Sequence, residues 1–155
     1  MSGPALDRVV ANFSLPSTTG KTFSLAEARG APLVLYFYPR DNTPGCTLEA
    51  RDFQALQPAF RRKQTRVCGI SRDNLASHQR FCARYDLAFE LLADEDGAIC
   101  HRFDVIHEKN MYGRKVLGIV RSTFLIDAAG KLRREWRGVK VAGHAAAVLE
   151  AIGEL

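Results

Sequence analysis

The chain reads as an α/β domain built on a mixed sheet, on three observations. Short apolar runs rich in β-branched and aromatic residues lie at 33–38, 65–70, 89–92, 122–126 and 132–136. Segments of helical character separate them, following Thr43, near 74–85, near 97–103 and at 143–152, and this alternation is that of β-α-β units. Between the last two runs, Ala128-Ala129-Gly130-Lys131 is a turn, which makes them an antiparallel hairpin.

Taken in order, the first run, Leu-Val-Leu-Tyr-Phe-Tyr, ends at Pro39. Thr43 is a good N-cap and Pro44 suits the first helical position, so Cys46 falls at the third residue of a helix. Unpaired backbone N–H groups and the positive end of the helix dipole favour an anion there, and a cysteine so placed is the kind that becomes a reactive thiolate. Pro58 interrupts that helix and predicts a break near Gln57. Thr-Arg-Val-Cys-Gly-Ile at 65–70 is a central strand that places Cys68 in the core. In the next helix Leu75, His78, Cys82 and Tyr85 recur at spacings of three and four, a partly apolar face. Cys100 sits in a short helix with a structural role. The polar stretch 106–118, rich in Gly, Lys and Arg, is the expected mobile loop.

Composition narrows the function. With 155 residues, 46% of them apolar, the chain can bury one core over residues 1–155 without metal or disulfide support. The net charge of +5 is spread along the sequence. The short basic cluster Arg61-Arg62-Lys63 lacks interleaved aromatic residues, which argues for a solvated face and against a nucleic-acid site. No stretch approaches the roughly 20 apolar residues of a membrane span or the apolar core of a signal peptide, so a cytoplasmic location is expected. The four cysteines form no Cys-x-x-Cys pair, and the four histidines, 78, 101, 107 and 144, are scattered. They read as ordinary surface or half-buried side chains, with no metal site.

Pro39, Thr43 and Cys46 stand in the pattern Pro-x-x-x-Thr-x-x-Cys, and residues 43–49 read Thr-Pro-Gly-Cys-Thr-Leu-Glu. This resembles the active-site loop of the peroxiredoxins, and in its longer form that of their bacterioferritin-comigratory, or Q-type, branch. The likeness extends over nearly the whole chain. Ala-Asn-Phe-Ser-Leu at 11–15 with Lys-Thr-Phe-Ser-Leu at 21–25 resembles the family's entry hairpin. Phe81 with Tyr85 and Leu87, Phe-Glu-Leu-Leu-Ala-Asp at 89–94 and Gly-Ile-Val-Arg-Ser-Thr-Phe-Leu-Ile-Asp at 118–127 fall in the family's order.

The resemblance implies a thioredoxin-like fold with a central mixed sheet flanked by helices, and a thiol-dependent peroxidase acting on hydrogen peroxide and organic hydroperoxides. Cys46 would attack the peroxide, Thr43 would set its hydroxyl beside the sulfur, Arg121 would pair with the thiolate, and Pro39 would shape and shield the loop. The N–H groups of Gly45 and Cys46 add donors, and Glu49 would orient neighbouring polar groups without moving a proton. No cofactor is implied. A thioredoxin-like dithiol protein is the expected reductant, and a monomer the expected state.

After attack Cys46 would carry a sulfenic acid that a second thiol must capture. Many Q-type members hold that thiol five residues on, where this chain has Arg51. Others place it thirty-six residues on, the position of Cys82, which makes an intramolecular Cys46–Cys82 disulfide the implied resolution. Core packing of Cys82 with an external thiol completing a one-cysteine cycle, or a redox sensor that passes oxidation to a partner, are the alternatives. Two thiols embedded in different helices do not meet disulfide geometry without movement, so local unwinding near Cys46 and Cys82 is expected.

Overall fold

Leu33–Phe37 forms β3, the middle strand of a five-stranded sheet and a strand buried along its whole length. The computed structural model describes residues 3–155, and for Met111 the backbone alone. Because side chains alternate across a strand, Leu33, Leu35 and Phe37 enter one core while Val34, Tyr36 and Tyr38 enter the other. An uninterrupted apolar run is what a strand covered on both faces requires.

The other elements follow in chain order. A hairpin of β1 (Ser14–Pro16) and β2 (Thr22–Ser24) precedes β3. Then come α1 (Pro44–Ala55), α2 (Gln57–Arg62), β4 (Arg66–Ser71), α3 (Leu75–Tyr85), β5 (Glu90–Ala93) and α4 (Ala98–Arg102). The chain ends with β6 (Ile106–Met111), β7 (Arg114–Ile119), β8 (Ser122–Ile126), β9 (Leu132–Arg137) and α5 (His144–Ile152). Sheet order is β5-β4-β3-β8-β9. The pairs β3–β4 and β4–β5 are parallel, whereas β3–β8 and β8–β9 are antiparallel. The α/β architecture with a mixed sheet expected from the sequence is therefore the one observed.

Helices α1, α2, α3 and α5 contribute Ala50 and Phe53, Phe60, Phe81, and Val148 and Ala151 to the core on the Tyr36 face. The opposite core takes Phe23 from β2 and Phe13 from just before β1, with Ile99 and Cys100 from α4 and Phe103 from just after it. Pro58 breaks the helix as expected: α1 ends at Ala55, and Pro58 sits in the first turn of α2. At the β8–β9 turn, Asp127 Oδ1 accepts from the N–H groups of Ala129 and Lys131, and Gly130 takes φ +86°.

The stretch 106–118, expected as a mobile loop, is instead largely ordered as the β6–β7 hairpin. Its strands pair from Ile106↔Ile119 to Met111↔Arg114 around Tyr112-Gly113, both at positive φ. That turn geometry suits a two-residue hairpin. The strands carry polar side chains because they project from the main sheet, so no apolar alternation marked them.

At the centre of the Tyr36 face, the Tyr36 ring stacks on Phe53 with centroids 4.7 Å apart. Across β4, Gly69 makes room for it: a Cβ there would lie 2.8 Å from Tyr36 Cζ and 2.7 Å from a Leu91 methyl. Gly69→Ala should cost about 1–3 kcal/mol through overpacking. Urea unfolding would show this as a lower midpoint at constant m, and an unchanged midpoint would show that the Tyr36 ring can yield.

Candidate active site

The loop between β3 and α1 turns sharply enough to put Asn42 at φ +62°, a conformation asparagine tolerates. Thr43 stands at the N-cap position of α1 in an extended conformation but makes no side-chain capping bond; Pro44 is next, and Cys46 follows one turn in, only 1% exposed. Thr43 Oγ1 donates to the carbonyl of Arg40 at 2.9 Å, which commits its hydrogen and leaves its lone pairs free to accept. Pro39 is half-buried at the start of the loop.

Arg121 reaches this loop from across the sheet. Phe37 pairs with Ser122, so the residue before Ser122 emerges beside the chain that leaves β3. Its carbonyl accepts from Val139 N–H at 3.0 Å. The guanidinium divides its fork: Nη2 donates to Cys46 Sγ at 3.5 Å and Nη1 to Glu49 Oε1 at 2.7 Å. Gly45 permits the approach, since a Cβ there would stand 3.1 Å from Nη2. Burial works against the charge on Arg121, yet Glu49 and Cys46 raise its affinity for the proton above that of an ordinary arginine.

Glu49 is 1% exposed, and its Oε2 has no hydrogen-bond partner among the described residues, as is also true of the Tyr36 hydroxyl. Burial raises the Glu49 carboxyl to about 7 against the opposing pull of Arg121. On β6, Lys109 lies over Gly118, and its ammonium is destabilised first by burial and then by Arg121, with Cys46 opposing.

The four thiols are free. Cys68 in β4 and Cys100 in α4 are fully buried, and burial raises both well above an ordinary thiol. Cys82 in α3 is half-buried, its S–H directed at Thr18 Oγ1 at 3.9 Å, and burial raises it too, with Thr18 opposing. It opens onto a cleft of about 450 Å³ that Arg61, Arg66, Gln79 and Glu90 also line.

A second polar cluster joins the loop to α3. Asp41, buried two residues after Pro39, accepts from Tyr38 Oη at 2.6 Å, Ser77 Oγ at 2.8 Å and His78 Nδ1 at 2.8 Å. Burial alone would raise its carboxyl, but His78, Tyr38 and Ser77 hold it below the usual carboxylate range. Its backbone N–H donates to Asp73 Oδ2 at 2.8 Å. His78 is fully buried, and its Nε2 faces the carbonyl of Leu92 at 3.0 Å. Ligand atoms of Asp41, Asp73 and His78 lie within 4.8 Å of one another. His78 Nε2 faces a carbonyl and Nδ1 the Asp41 carboxylate, while Asp73 Oδ2 accepts from Asp41 N–H and Ser71 Oγ, so these atoms are already engaged in hydrogen bonds within the cluster.

A model of the AhpC/TSA family matches residues 6–135. Peroxiredoxin Bcp of Xanthomonas campestris pv. campestris is 51% identical over 154 residues, 98% of this chain and 96% of that protein. The chain belongs to the peroxiredoxins of the AhpC/TSA family, in their Bcp or Q branch. As a peroxiredoxin it is a thiol-dependent peroxidase. Among solved structures, a mutant of Xylella fastidiosa PrxQ aligns with TM-score 0.93 at 40% identity, covering 99% of this chain and 98% of that one. Peroxiredoxin Q of Xanthomonas campestris aligns at TM-score 0.89 and 47% identity, covering 96% and 98%, and has been solved as cysteine-to-serine mutants at two positions thirty-six residues apart. Its alkyl peroxide reduction activity is the subject of a further structure.

In this peroxiredoxin the structure brings Cys46, Arg121 and Glu49 into one hydrogen-bonded group, with Thr43 and Pro39 on the loop around it and Cys82 on a separate helix. Sequence reasoning missed Asp41, His78 and Lys109. His78 and His144 are not the surface or half-buried side chains expected: both are buried, His78 within the Asp41 cluster and His144 with Nε2 2.7 Å from Thr123 Oγ1. Burial, reinforced by Arg121, lowers the imidazole of His144 to about 4. The one available signal was the position of His78 on the apolar face of its helix. Lys109 belongs to the polar stretch 106–118, where no apolar periodicity marks its strand.

The folded state retains on Glu49 a proton that the unfolded chain gives up near 4.5. Its contribution to stability is therefore complete below that pH and is lost as pH rises through about 7. Glu49→Gln should flatten this dependence. The difference in unfolding free energy between the two proteins should change by up to about 1.4 kcal/mol per pH unit across that window, whereas parallel curves from pH 4.5 to 8 would rule out a buried carboxyl that gains its proton on folding.

Proposed function

We propose that Cys46 is the residue that attacks the peroxide and that Cys82 resolves the product. The observation that carries the reading is the divided fork of Arg121, which sets one cation against the Cys46 sulfur and fixes it through Glu49. The Cys46 thiolate attacks the terminal peroxide oxygen; an S–O bond forms, the O–O bond breaks, and its electron pair leaves on the departing oxygen, which takes a proton from water. Arg121 stabilises the charge that develops there, and Thr43 Oγ1 accepts the peroxide's O–H and orients it. The sulfur is left as a sulfenic acid.

Cys82 then supplies its thiol. The sulfenic S–O bond breaks as the S–S bond forms, and the hydroxide leaves as water with the Cys82 proton. Cys82 is half-buried beside an open cleft whereas Cys68 and Cys100 are sealed in the core, and the Cys46–Cys82 separation equals that of the two mutated positions in the Xanthomonas protein. The thiols stand on α1 and α3, so one or both helices must open locally. A thioredoxin-like dithiol protein would reduce the disulfide. Substrates would be hydrogen peroxide and alkyl hydroperoxides, the latter supported by the activity of the Xanthomonas relative. We assign the protein to the cytoplasm as a monomer; no helix among the described residues is long and apolar enough to cross a membrane.

Treatment with one equivalent of hydrogen peroxide, thiol blocking and tryptic digestion without reduction tests the pairing. Cys46 falls in peptide 41–51 and Cys82 in peptide 81–84. Their cross-linked mass should dominate; oxidised Cys46 with Cys82 still free would leave an external thiol to complete a one-cysteine cycle. Cys46→Ser should abolish turnover, and Arg121→Ala should lower kcat/KM for peroxide by about 10²–10³, measured with a coupled reductant assay.

A further inference from the structure

The reaction makes two demands on the segment between β3 and α3. Peroxide attack needs the loop at 39–43 held still, and disulfide formation needs Cys46 and Cys82 to travel. The Asp41 cluster lies between them. Asp41 belongs to the loop, two residues before Thr43, while Ser77 and His78 belong to α3, with Cys82 one turn beyond His78. Through Nε2, His78 also ties α3 to the carbonyl of Leu92 in β5, and through its backbone N–H, Asp41 ties the loop to Asp73, just before the Asn74 cap of α3. Cys82 makes one long side-chain hydrogen bond, at 3.9 Å, and packs against the Tyr36-face core beside the fully buried Phe81. The polar restraint on α3 therefore sits in the turn before Cys82, beside the apolar anchor of Phe81.

We propose that Asp41, Ser77 and His78 form a clamp that positions the resolving helix and sets how fast the sulfenic acid on Cys46 meets the Cys82 thiol. The inference rests on the two-cysteine reading above. These three are positioning residues and touch neither peroxide nor sulfur. A closed clamp keeps Thr43 and α1 in register for the first peroxide. Its opening releases the first two turns of α3, and with them Cys82, for the condensation that forms the disulfide and expels water. While the clamp stays closed, the sulfenic acid remains exposed to a second peroxide, which would oxidise it to the sulfinic acid and leave as water or alcohol. Clamp strength would thus set the balance between resolution and overoxidation.

The test uses the full chain with Ser77→Ala, which removes one hydroxyl from the clamp, and Ser77→Thr, which retains it. Loss of one hydrogen bond should accelerate both amide exchange over 75–85 in the reduced protein and Cys46–Cys82 disulfide formation after rapid mixing, by about fivefold. The peroxide dose that overoxidises half the protein should rise by a similar factor. Ser77→Thr should restore wild-type values, a rescue that a general loss of packing would not give. Asp41→Asn, which removes the charge at nearly constant volume, should act in the same direction and more strongly. A wild-type protein that forms no Cys46–Cys82 disulfide overturns the two-cysteine reading and this proposal with it. A wild type that forms it at a rate Ser77→Ala and Asp41→Asn leave unchanged overturns the clamp alone.

Discussion

The arrangement of the site depends on a single side chain divided between two acceptors. Arg121 gives one guanidinium nitrogen to Cys46 and another to Glu49, residues three apart and so on one face of the first two turns of α1. A lysine could not do this, because its ammonium lacks the planar fork that serves two acceptors in fixed directions. The fork is delivered by the sheet. The antiparallel register that pairs Phe37 with Ser122 sets the end of β3 against the start of β8, and Gly45 leaves the space the guanidinium fills. A slip of one residue would turn Arg121 to the other face and break the group.

Burial gives that ion pair its particular character. Removing a carboxylate from water is expensive, and one guanidinium shared with a sulfur only partly offsets the cost for Glu49, whose second oxygen is buried without a partner among the described residues. The pair is better understood as a device for orientation than as a source of stability. The same principle separates the cysteines. Desolvation holds Cys68, Cys82 and Cys100 as thiols, whereas Cys46 combines burial with a helix start and a facing cation. In the proposed cycle this difference divides the labour: the sulfur beside the cation attacks, and the thiol beside the open cleft gives up its proton only when it condenses.

The two polar clusters sit on either side of one short loop and answer opposite requirements. Arg121 and Glu49 fix the helix start after the loop, and Asp41 with His78 fixes the loop to the following β-α unit. Both are buried and charge-assisted, so both are firm when closed, and each has members on elements distant in sequence. Helix ends are where opening is least costly. In the proposed cycle, polar contacts placed at those ends would control the rate of opening while leaving the central sheet intact.

Much of this was written in local sequence. The run at 33–38 could only be a covered strand, Thr43-Pro44 could only begin a helix well, Pro58 could not continue one, and the turn at Asp127–Gly130 had side-chain chemistry that closes on itself; each is a matter of backbone sterics and near-neighbour hydrogen bonds. The family pattern added Arg121, which no local rule would have joined to Cys46, and pointed to Cys82 as the proposed second thiol. The β6–β7 hairpin escaped because it is polar and packs little, so it lacks the periodicity that burial imposes. Asp41 and His78 escaped for a related reason. A lone aspartate in a loop and a lone histidine on a helix are unremarkable until parallel pairing of β3, β4 and β5 brings their ends together, and their meaning is a distance between residues 37 positions apart. The sequence by itself determined which segments become strand or helix and where a reactive thiol could stand. Only the tertiary structure decided which charges face that thiol and which residues tie α3 to the loop before α1, because long-range electrostatics follows from strand register.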